Sequence, residues 1–585
     1  MSATREMSVV RMVFVLIAVA LVGFPAQAKY GGGSGTAKDP WRIATKQDFL
    51  ALAAHTDDYA SHFILTADIN LSGQTFTMAP IAPATKIGPH GEFEATPFTG
   101  AVDGNGHKIT GLTITDKTTG RSHLGLFGCI ARGGRVTNLT LERVSITGGD
   151  VAHFVGGLVG LNDGGTITHC TLADSVNTIS GSDKVGALAG MNGEGGTITR
   201  CHALAGTTSG DVNIGGLIGQ NARGGRIMDC DAAGTVTGEA FHFGGLVGFN
   251  EGTITRCHAT GNVTGQLDLG GLVGKNGGII ADCYASGDIS GSFGGAEIGG
   301  LVGQNLRGAI VTNSHATGSV IVDRVTAIAG GLAGDNSGLI THSYATGDVA
   351  GRASILGGLV GDNHGAIVCS RAAGNVAGVS GMSSYAGGLA GSGDKDEVII
   401  NCYATGSVTN ASVVGGLLED SYGTVTNCYA TGKLTGAIHL VGGLVGRSEL
   451  PGQTVNSFWD TQTTGQSKSA GGTGKTTIQM QTTKTFLDAS WDFNCIWDIE
   501  EKETYPFLRP GLAGDLNCDK KVDLKDFARF AANWSKRCGV STNPSLPLPK
   551  CPVVGDLNHD KTVDAIDLWL LATQWLDNRA QTVGQ

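Results

Sequence analysis

Two acidic segments near the end of the chain have the residue types and the spacing of a calcium site. They read DLNCDKKVDLKD and DLNHDKTVDAID, and they begin at Asp515 and Asp556. Calcium prefers six to eight oxygen ligands, which a twelve-residue loop supplies from positions 1, 3, 5, 7, 9 and 12. Position 7, here Lys521 or Thr562, contributes its backbone carbonyl. The sequence therefore predicts two bound calcium ions, held by Asp515, Asn517, Asp519, Lys521, Asp523, Asp526, Asp556, Asn558, Asp560, Thr562, Asp564 and Asp567.

An apolar helical pattern follows each loop. The two patterns read FARFAANW and LWLLATQW, with Trp534 and Trp575 at matching offsets. A solvated acidic turn would not repeat five oxygen ligands in register twice. The pair of loops and helices resembles a type I dockerin over residues 512–578, which implies a small α-helical calcium-binding domain and a cohesin-like protein partner. The resemblance also implies that loop positions 10 and 11 help to choose this partner, and these positions are Leu524, Lys525, Ala565 and Ile566.

The loops depart from the dockerin pattern at two places. Lys520 and Lys561 stand at loop position 6, where glycine normally makes the sharp turn, so we expect weaker calcium binding. Dockerins commonly carry a hydroxyl pair at positions 10 and 11, and neither loop does. The choice of cohesin-like partner therefore stays open.

The composition argues against both disorder and nucleic-acid binding. Glycine accounts for 95 of the 585 residues, yet 41% of the residues are hydrophobic and only 16% are charged. A disordered chain would have less apolar material to bury and more net charge. The net charge of -11 offers no basic surface to a phosphate backbone. We therefore expect an ordered, acidic protein in which glycine serves a regular structure.

The first 28 residues have the pattern of a secretory signal peptide. Arg5 and Arg11 precede the apolar run 12–24, which is followed by the small-residue cleavage pattern Ala26-Gln27-Ala28. This run is shorter than the roughly 20 residues that a membrane-spanning helix needs. We expect a secreted protein, extracellular or associated with the cell surface, with no integral membrane segment after cleavage.

A repeat of 26 to 32 residues fills the middle of the chain. Its short apolar runs, each closed by Gly or Asn, predict strands separated by tight turns. One such unit cannot bury its apolar face alone, so we predict an all-β fold, a parallel β-solenoid of about twelve coils with capped ends. We expect glycine and asparagine to mark turns that need a positive φ. The leucines that define the repeat are Leu126, Leu158, Leu188, Leu217, Leu246, Leu272, Leu301, Leu332, Leu359, Leu389, Leu417 and Leu444.

The repeated segments GGLVGFN, GGLVGLN, GGLIGQN, GGLVGKN and GGLVGDN resemble the GLUG motif of bacterial secreted and surface proteins. The resemblance implies a surface repeat module with no general catalytic residues. We place the GLUG solenoid at 116–460 and an N-terminal cap with the first solenoid turns at 29–115. A C-terminal cap and linker follow at 461–511, before the dockerin-like domain at 512–578.

Two columns of the repeat carry distinctive side chains. A slot that is Ser in some repeats holds Cys170, Cys201, Cys230, Cys257, Cys283, Cys402 and Cys428, for which we favour buried free thiols over disulfides or metal ligands. The next residue along the chain points the other way on a strand. These residues could form an outward ring stripe on which a sugar stacks, or the rings could pack against each other. The stripe comprises His202, His258, Tyr284, His315, Tyr344, Tyr403 and Tyr429.

Three classes of function fit these features. We favour a non-catalytic extracellular module whose solenoid binds a polysaccharide or a cell-surface glycan and whose dockerin-like end attaches it to an extracellular complex. A polysaccharide lyase or glycoside hydrolase is the alternative, because parallel β-helices often carry such chemistry. It would need carboxylates at short spacing. Asp335 and Asp362 share one repeat slot, which elsewhere looks like variable surface. A cell-surface adhesin is the third class.

Overall fold

The computed structural model describes residues 29–84, 86–87, 93–94, 96–116, 123–149, 152–174, 176–292, 294–323, 325–380, 384–437, 439–448, 453–509 and 524–531, with the single positions 568 and 571. The predicted signal peptide and nearly all of the two predicted calcium loops lie outside these residues.

The chain winds into a stack of coils whose strands pair in parallel with their equivalents in the neighbouring coils, and two short antiparallel pairs, Lys86–Ile87 with Phe93–Glu94 and Trp497–Asp498 with Phe507–Leu508, lie outside this pattern. A representative coil contains the strands Val247–Asn250, Thr253–Thr255, His258–Ala259, Val263–Gly265 and Leu267–Gly270. Equivalent strands of successive coils form the faces of the stack. In the order given, the first three strands belong to face 1, face 2 and face 3, and the last two strands both belong to face 4. Leu269 pairs with Ile298 of the next coil, and Val247 pairs with Val273. The predicted parallel β-solenoid is therefore confirmed.

The four faces extend along the stack to different lengths. Face 2 has 15 strands, from Trp41–Ile43 to Gln453–Val455, and face 3 has 15, from Ile69–Asn70 to Thr473–Lys475. In two of the coils, the two strands of face 4 are joined into one long strand, which is Thr207–Gly215 in one coil and Thr235–Gly244 in the other. Face 1 has 12 strands: Phe127–Ala131, Val159–Asp163, Ala189–Asn192, Ile218–Asn221, Val247–Asn250, Val273–Asn276, Val302–Asn305, Ala333–Asn336, Val360–Asn363, Ala390–Gly393, Leu418–Asp420 and Val445–Arg447.

Apolar residues of all four faces fill the interior of the stack. The repeated leucines are buried, and they belong to one hydrophobic cluster that runs from Tyr30 to Trp459. Burial of apolar area is the main favourable term in folding, so each coil is stabilised by contact with the next one.

The repeated asparagines form a hydrogen-bonded ladder inside the stack. In each step the side-chain amide of one asparagine donates to the side-chain oxygen of the next, as from Asn250 Nδ2 to Asn276 Oδ1 over 2.8 Å. Buried amides must find such partners, and the repeat provides one per coil. The ladder comprises Asn162, Asn192, Asn221, Asn250, Asn276, Asn305, Asn336 and Asn363.

Glycine and asparagine mark some of the turns that have a positive φ, as at Gly164, where φ is 80°. The repeated glycines are needed for space: a Cβ on Gly245 would lie 2.1 Å from the carbonyl oxygen of Gly271. Positive φ angles also recur at the residue before the Cys/Ser slot, which is asparagine in some coils, such as Asn427 at 53°, and another residue in others, such as Arg256 at 51°. The expectation is thus confirmed for these turns, whereas contacts between adjacent coils, which no local pattern shows, set the glycine positions of the GGL segments.

Both ends of the stack carry additional structure. Helix α1 (Lys46–Ala54) begins at a capping box made by Thr45 and Asp48, and it buries Phe49 and Leu52 against the first coils. A short 3-10 helix follows at Thr56–Asp58. At the other end, helices α2 (Thr477–Met480) and α3 (Thr483–Leu487) lead into a cluster of aromatic side chains.

Helix α4 (Leu524–Ala531) is the described part of the predicted dockerin-like domain. It coincides with the apolar pattern FARFAANW, although it begins three residues earlier. The dockerin-like domain as a whole stays a prediction. Among the described helices, none has the length and apolar character needed to cross a membrane.

Candidate functional site

The outer surfaces of face 4 and face 1 face each other at the corner where the two faces join, and they are in contact there. The outward glycine of each face 1 strand packs on the backbone of face 4: a Cβ on Gly274 would lie 2.5 Å from the backbone nitrogen of Phe243. Only a residue without Cβ permits this approach. Side chains on the two sides consequently meet outside the core, since the ring centroids of His242 and Phe249 are 5.7 Å apart. We call this concave corner the 4/1 groove.

A histidine and two aspartates occupy the middle of the 4/1 groove. Asp335 and Asp362 are in register on adjacent face 1 strands. His364 Nε2 lies 3.6 Å from Asp335 Oδ2 and 3.4 Å from Asp362 Oδ2. The two carboxylate oxygens are therefore no more than about 7 Å apart, the sum of these two distances. Asp394 Oδ2 lies 3.8 Å from the other ring nitrogen.

Burial and mutual charge shift the titration of this group. Burial raises the pKa of Asp335 to about 6, and the charge of Asp362 adds to the rise while His364 opposes it. The hydrogen bond to Asp362 raises the pKa of His364 to about 9, against the effect of burial. At neutral pH the groove therefore holds an imidazolium between carboxylates, one of which protonates near the neutral range.

A second carboxyl pair lies on the face 4 side of the groove. Burial raises the pKa of Glu297 to about 8, and its hydrogen bond to Asp268 adds to the rise. Burial would raise the pKa of Asp268 too, but hydrogen bonds from His242 and Glu297 outweigh it and lower that pKa. His242 Nε2 lies 3.1 Å from Asp268 Oδ2, and Lys275 Nζ of face 1 lies 4.0 Å from the same oxygen. At neutral pH, Glu297 is thus a proton donor to the carboxylate of Asp268.

This arrangement has the components of acid and base chemistry. Carboxyl groups that protonate near pH 7 can act as general acids, and a neighbouring carboxylate can act as a base. No grouping of His, Cys, Asp and Glu suited to a metal ion occurs among the residues that the structure describes. The carboxyl and imidazole groups of the groove make it a candidate site for ligand binding or proton transfer.

The sequence pattern pointed to only part of this site. It placed Asp335 and Asp362 in one slot, which otherwise looked like variable surface. It missed His364, Asp268 and Glu297, because they belong to other positions of the coil. The recurrence of acidic residues within a few positions of successive GGL segments was the available signal, but it did not show which face each one occupies.

The predicted ring stripe is a stack of rings along face 3. Ring centroids are 4.7 Å apart for His258 and Tyr284, 5.3 Å for Tyr284 and His315, and 4.6 Å for His315 and Tyr344, with planes within 12° of parallel. The guanidinium of Arg371 lies 4.2 Å from the ring centroid of Tyr344 and continues the stack. The ring faces are thus largely covered by neighbouring rings, which matches the second of the two expectations.

The ends of the stripe have other partners. The His202 ring lies within hydrogen-bond distance of Asp231 in the next coil. Tyr403 and Tyr429 stack at 4.9 Å under the C-terminal aromatic cluster. Tyr429 is 2% exposed, and its hydroxyl donates to the carbonyl of Pro506 over 2.6 Å. Tyr429 is therefore closed to a ligand, while sugar stacking at the half-buried positions stays a prediction.

The seven cysteines of the Cys/Ser slot are buried and have free thiols. Cys201 Sγ donates to the carbonyl of Thr199 over 3.3 Å, and Cys201 N donates to Cys230 Sγ over 3.4 Å. Burial raises the pKa of Cys201 well above its usual value. The favoured expectation of buried free thiols is confirmed.

The predicted calcium and partner residues are described only within helix α4. Asp526 is buried, whereas Leu524 is 68% exposed and Lys525 is also exposed. The other predicted residues lie outside the described residues: Asp515, Asn517, Asp519, Lys521, Asp523, Asp556, Asn558, Asp560, Thr562, Asp564, Ala565, Ile566 and Asp567.

Comparison with known families supports the interpretation of the repeat. The profile of "Glug: The GLUG motif" matches residues 153–177, 210–237, 239–264, 265–290, 294–321 and 382–409. The chain is thus a β-solenoid that contains GLUG motif repeats in these six segments.

The curated relatives are similar to this chain over limited segments. "Halomucin" of Haloquadratum walsbyi is 32% identical over 30% of this chain, and "Putative Gly-rich membrane protein" of Evansella cellulosilytica is 36% identical over 26%. The matched segments span only 2% and 17% of these relatives' own lengths.

Two solved structures match with low overall superposition. One is a putative immunoglobulin A1 protease from Bacteroides ovatus, with 14% identity, 83% of this chain, 97% of that chain and a TM-score of 0.19. The other is named "IgA1 Protease", with 14% identity, 80% of this chain, 25% of that chain and a TM-score of 0.24.

Proposed function

We propose that this protein is a secreted, non-catalytic β-solenoid module that binds a polysaccharide or a cell-surface glycan along the 4/1 groove. The observation that carries the proposal is the groove itself, which repeats in successive coils at the spacing of parallel strands, about 4.8 Å. A linear polymer suits such a site because it can contact equivalent positions in one coil after another. The names of the two curated relatives, of which one is called a membrane protein, favour a location at the cell surface.

Groups suited to sugar recognition line the groove. Tyr385 of face 4 is 37% exposed, and the guanidinium of Arg447 of face 1 lies 5.7 Å from its ring centroid. Exposed aromatic rings offer an apolar platform, and neighbouring charged groups offer hydrogen bonds to hydroxyls. The groove thus combines the two kinds of contact that sugar binding needs.

We further propose that the C-terminal segment attaches the module to an extracellular complex through two calcium ions and a cohesin-like protein. Leu524 and Phe527 are 68% and 39% exposed on helix α4, and they lie on one side because they are three residues apart. Asp526, the proposed last ligand of the first loop, is buried on the other side. This division suits a helix that faces an ion with one side and a partner with the other.

Retention by polysaccharides tests the proposed groove. The mature chain and its Tyr385→Ala variant are compared on immobilised plant and algal polysaccharides, with a second variant that changes Tyr284, Tyr344 and Tyr403 to Ala in the ring stripe. We expect Tyr385→Ala to weaken retention at least tenfold for one polysaccharide, and the stripe variant to weaken it less. Equal retention by the unchanged chain and Tyr385→Ala would contradict groove binding.

The Asp335, Asp362 and His364 group favours a second candidate, a polysaccharide lyase or glycoside hydrolase. Glycoside hydrolases hold two carboxyl groups roughly 5 to 9.5 Å apart, with one of them kept protonated. The upper limit of the distance in the groove falls within this range, and Asp335 is the carboxyl that protonates near neutral pH.

Product analysis separates this candidate from the binding module. A hydrolase would release new reducing ends from one of the retained polysaccharides, and a lyase would release unsaturated products. Asp335→Asn and Asp362→Asn should each abolish the release, while Asp288→Asn, at an exposed position outside the groove pair, should not. Retention without products excludes the enzyme for the polysaccharides tested.

A further inference from the structure

The asparagine ladder ends at a buried glutamate. Asn363 is the last asparagine, and its partner in register in the next coil is Gly393. The carboxyl group of Glu397 occupies the space that a side chain at position 393 would take, since a Cβ on Gly393 would collide with Glu397 Oε2. The side chain of Asn363 lies near this carboxyl group and lowers the pKa of Glu397, against the effect of burial. Glu397 therefore completes the ladder from a different position of the chain.

The carboxyl group of Glu397 lies in an environment that suits its neutral form. Glu397 is 1% exposed, and the N–H of Gly423 donates to Oε1 over 3.5 Å. Oε2 has no hydrogen-bond partner among the described residues, and Glu397 makes no ion pair there. A buried carboxylate without a cation is costly, and a buried neutral carboxylic acid costs much less.

The charged groups around this carboxyl are acidic or already paired. Asp420 of the next coil raises the pKa of Glu397 by its charge. Arg447 forms ion pairs with Asp420 at 2.8 Å and with Glu419 at 3.8 Å. On the segment that carries Glu397, residues 394–396 (Asp, Lys, Asp) are exposed to solvent.

We propose that Glu397 is a proton-dependent plug of the ladder: the neutral acid holds the C-terminal coils of the solenoid together, and these coils loosen as the proton is lost. Burial is the main reason that the pKa of Glu397 is raised, to about 8 from the usual 4.5. A group whose pKa is higher in the folded state stabilises the fold fully below its usual pKa. That contribution declines as the pH rises above 4.5 and is lost above about 8. The C-terminal coils of the stack would therefore be less stable at alkaline pH than at acidic pH.

Local hydrogen exchange of the full chain tests the plug. The measured quantity is the amide exchange rate of peptides from 424–437 and 440–447, corrected for the intrinsic exchange rate at each pH. We expect the equilibrium constant for local opening of these peptides to increase about 100-fold between pH 5.5 and pH 8. Glu397→Gln keeps the size of the side chain and removes the charge, so its peptides should show no such increase. Glu194→Gln, at an exposed position, should behave like the unchanged chain.

Two comparisons separate an effect of Glu397 from an effect of pH on the whole stack. Glu297 also has a raised pKa, so Glu297→Gln is included and should leave the increase in peptides 424–437 intact. If Glu397→Gln does not fold, the unchanged chain still decides: the increase should be confined to the C-terminal coils and be absent from peptides in 218–235. A uniform increase along the stack, no increase, or an increase that persists in Glu397→Gln would overturn the proposal.

Discussion

Asn250 Nδ2 donates to Asn276 Oδ1 over 2.8 Å, and Asn276 Nδ2 donates to Asn305 Oδ1 over 2.9 Å. Each asparagine in the middle of the ladder is thus both donor and acceptor in a fully buried position. An unpaired buried amide costs about 1–3 kcal/mol, so the ladder fixes the register of one coil on the next.

Replacing one asparagine should destabilise the stack. Asn276→Ala leaves Asn250 without its acceptor and Asn305 without its donor, so we expect the free energy of unfolding to fall by about 2–4 kcal/mol. Urea denaturation followed by circular dichroism measures the change. Asn262→Ala, at an exposed position of the same region, should cost less than about 1 kcal/mol. Similar losses in both variants would argue against the ladder.

The glycine pairs should tolerate no side chain. Gly245→Ala places a methyl group 2.1 Å from the carbonyl oxygen of Gly271, which is backbone and cannot move aside. We expect a loss of at least about 3 kcal/mol or failure to fold. Gly277→Ala is the matched control, because its nearest neighbour is a side-chain carbon at 3.5 Å. Equal expression and stability of the two variants would contradict the steric role.

His364 should stabilise the fold in a pH-dependent manner. Its pKa is raised to about 9 from the usual 6.5, so its contribution is fully present below pH 6.5 and is lost as the pH rises through 9. The difference in unfolding free energy between the unchanged chain and His364→Asn should therefore shrink from pH 6 to pH 9.5. His439→Asn, at an exposed position, serves as the control. A difference that stays constant with pH would show that His364 is not charged between the aspartates.

The thiols of the Cys/Ser slot should be inert in the folded protein. Burial raises the pKa of thiols such as Cys257, and the thiolate is the reactive form. Mass spectrometry after labelling with a thiol reagent at pH 8 should find the seven cysteines unmodified in the native chain and modified after denaturation. Rapid labelling of Cys201, Cys230 or Cys257 in the native chain would contradict their burial.

Calcium should bind to the C-terminal segment in two steps of similar affinity. Titration calorimetry of the full chain should report two ions, and Asp515→Ala or Asp556→Ala should each remove one. Asp288→Ala, outside the loops, should leave the count at two. No heat of binding in the presence of excess Ca²⁺ would remove the proposed calcium site and the docking role that depends on it.

Much of the solenoid could be predicted from the sequence, because the apolar runs and the turns that define each coil lie within one repeat and recur in the next. Each GGL segment has the same short apolar runs and the same breaks, and repetition turns twelve weak signals into one strong signal. The inward position of Leu246 and the small size of the slot at Cys257 follow from this pattern. The GLUG profile supports the same interpretation.

The groove could not be predicted from the sequence. The sequence gives the order of the strands along the chain, but the groove depends on how close strands of different faces come in space. Asp268 and Asp335 are 67 positions apart in the chain, yet both raise the pKa of the same group, Glu297. Which faces meet on the outside is decided by the close packing of glycines such as Gly274 on the backbone of face 4.

The sequence by itself determined the type of fold, the repeated strands and the inward residues, because strand periodicity is a property of neighbouring residues. Only the tertiary structure decided that Asp335, Asp362 and His364 form one group, that the face 3 rings cover each other, and that Glu397 ends the asparagine ladder. These relationships arise between coils, where the hydrogen-bonded stacking of strands brings together residues from distant parts of the chain.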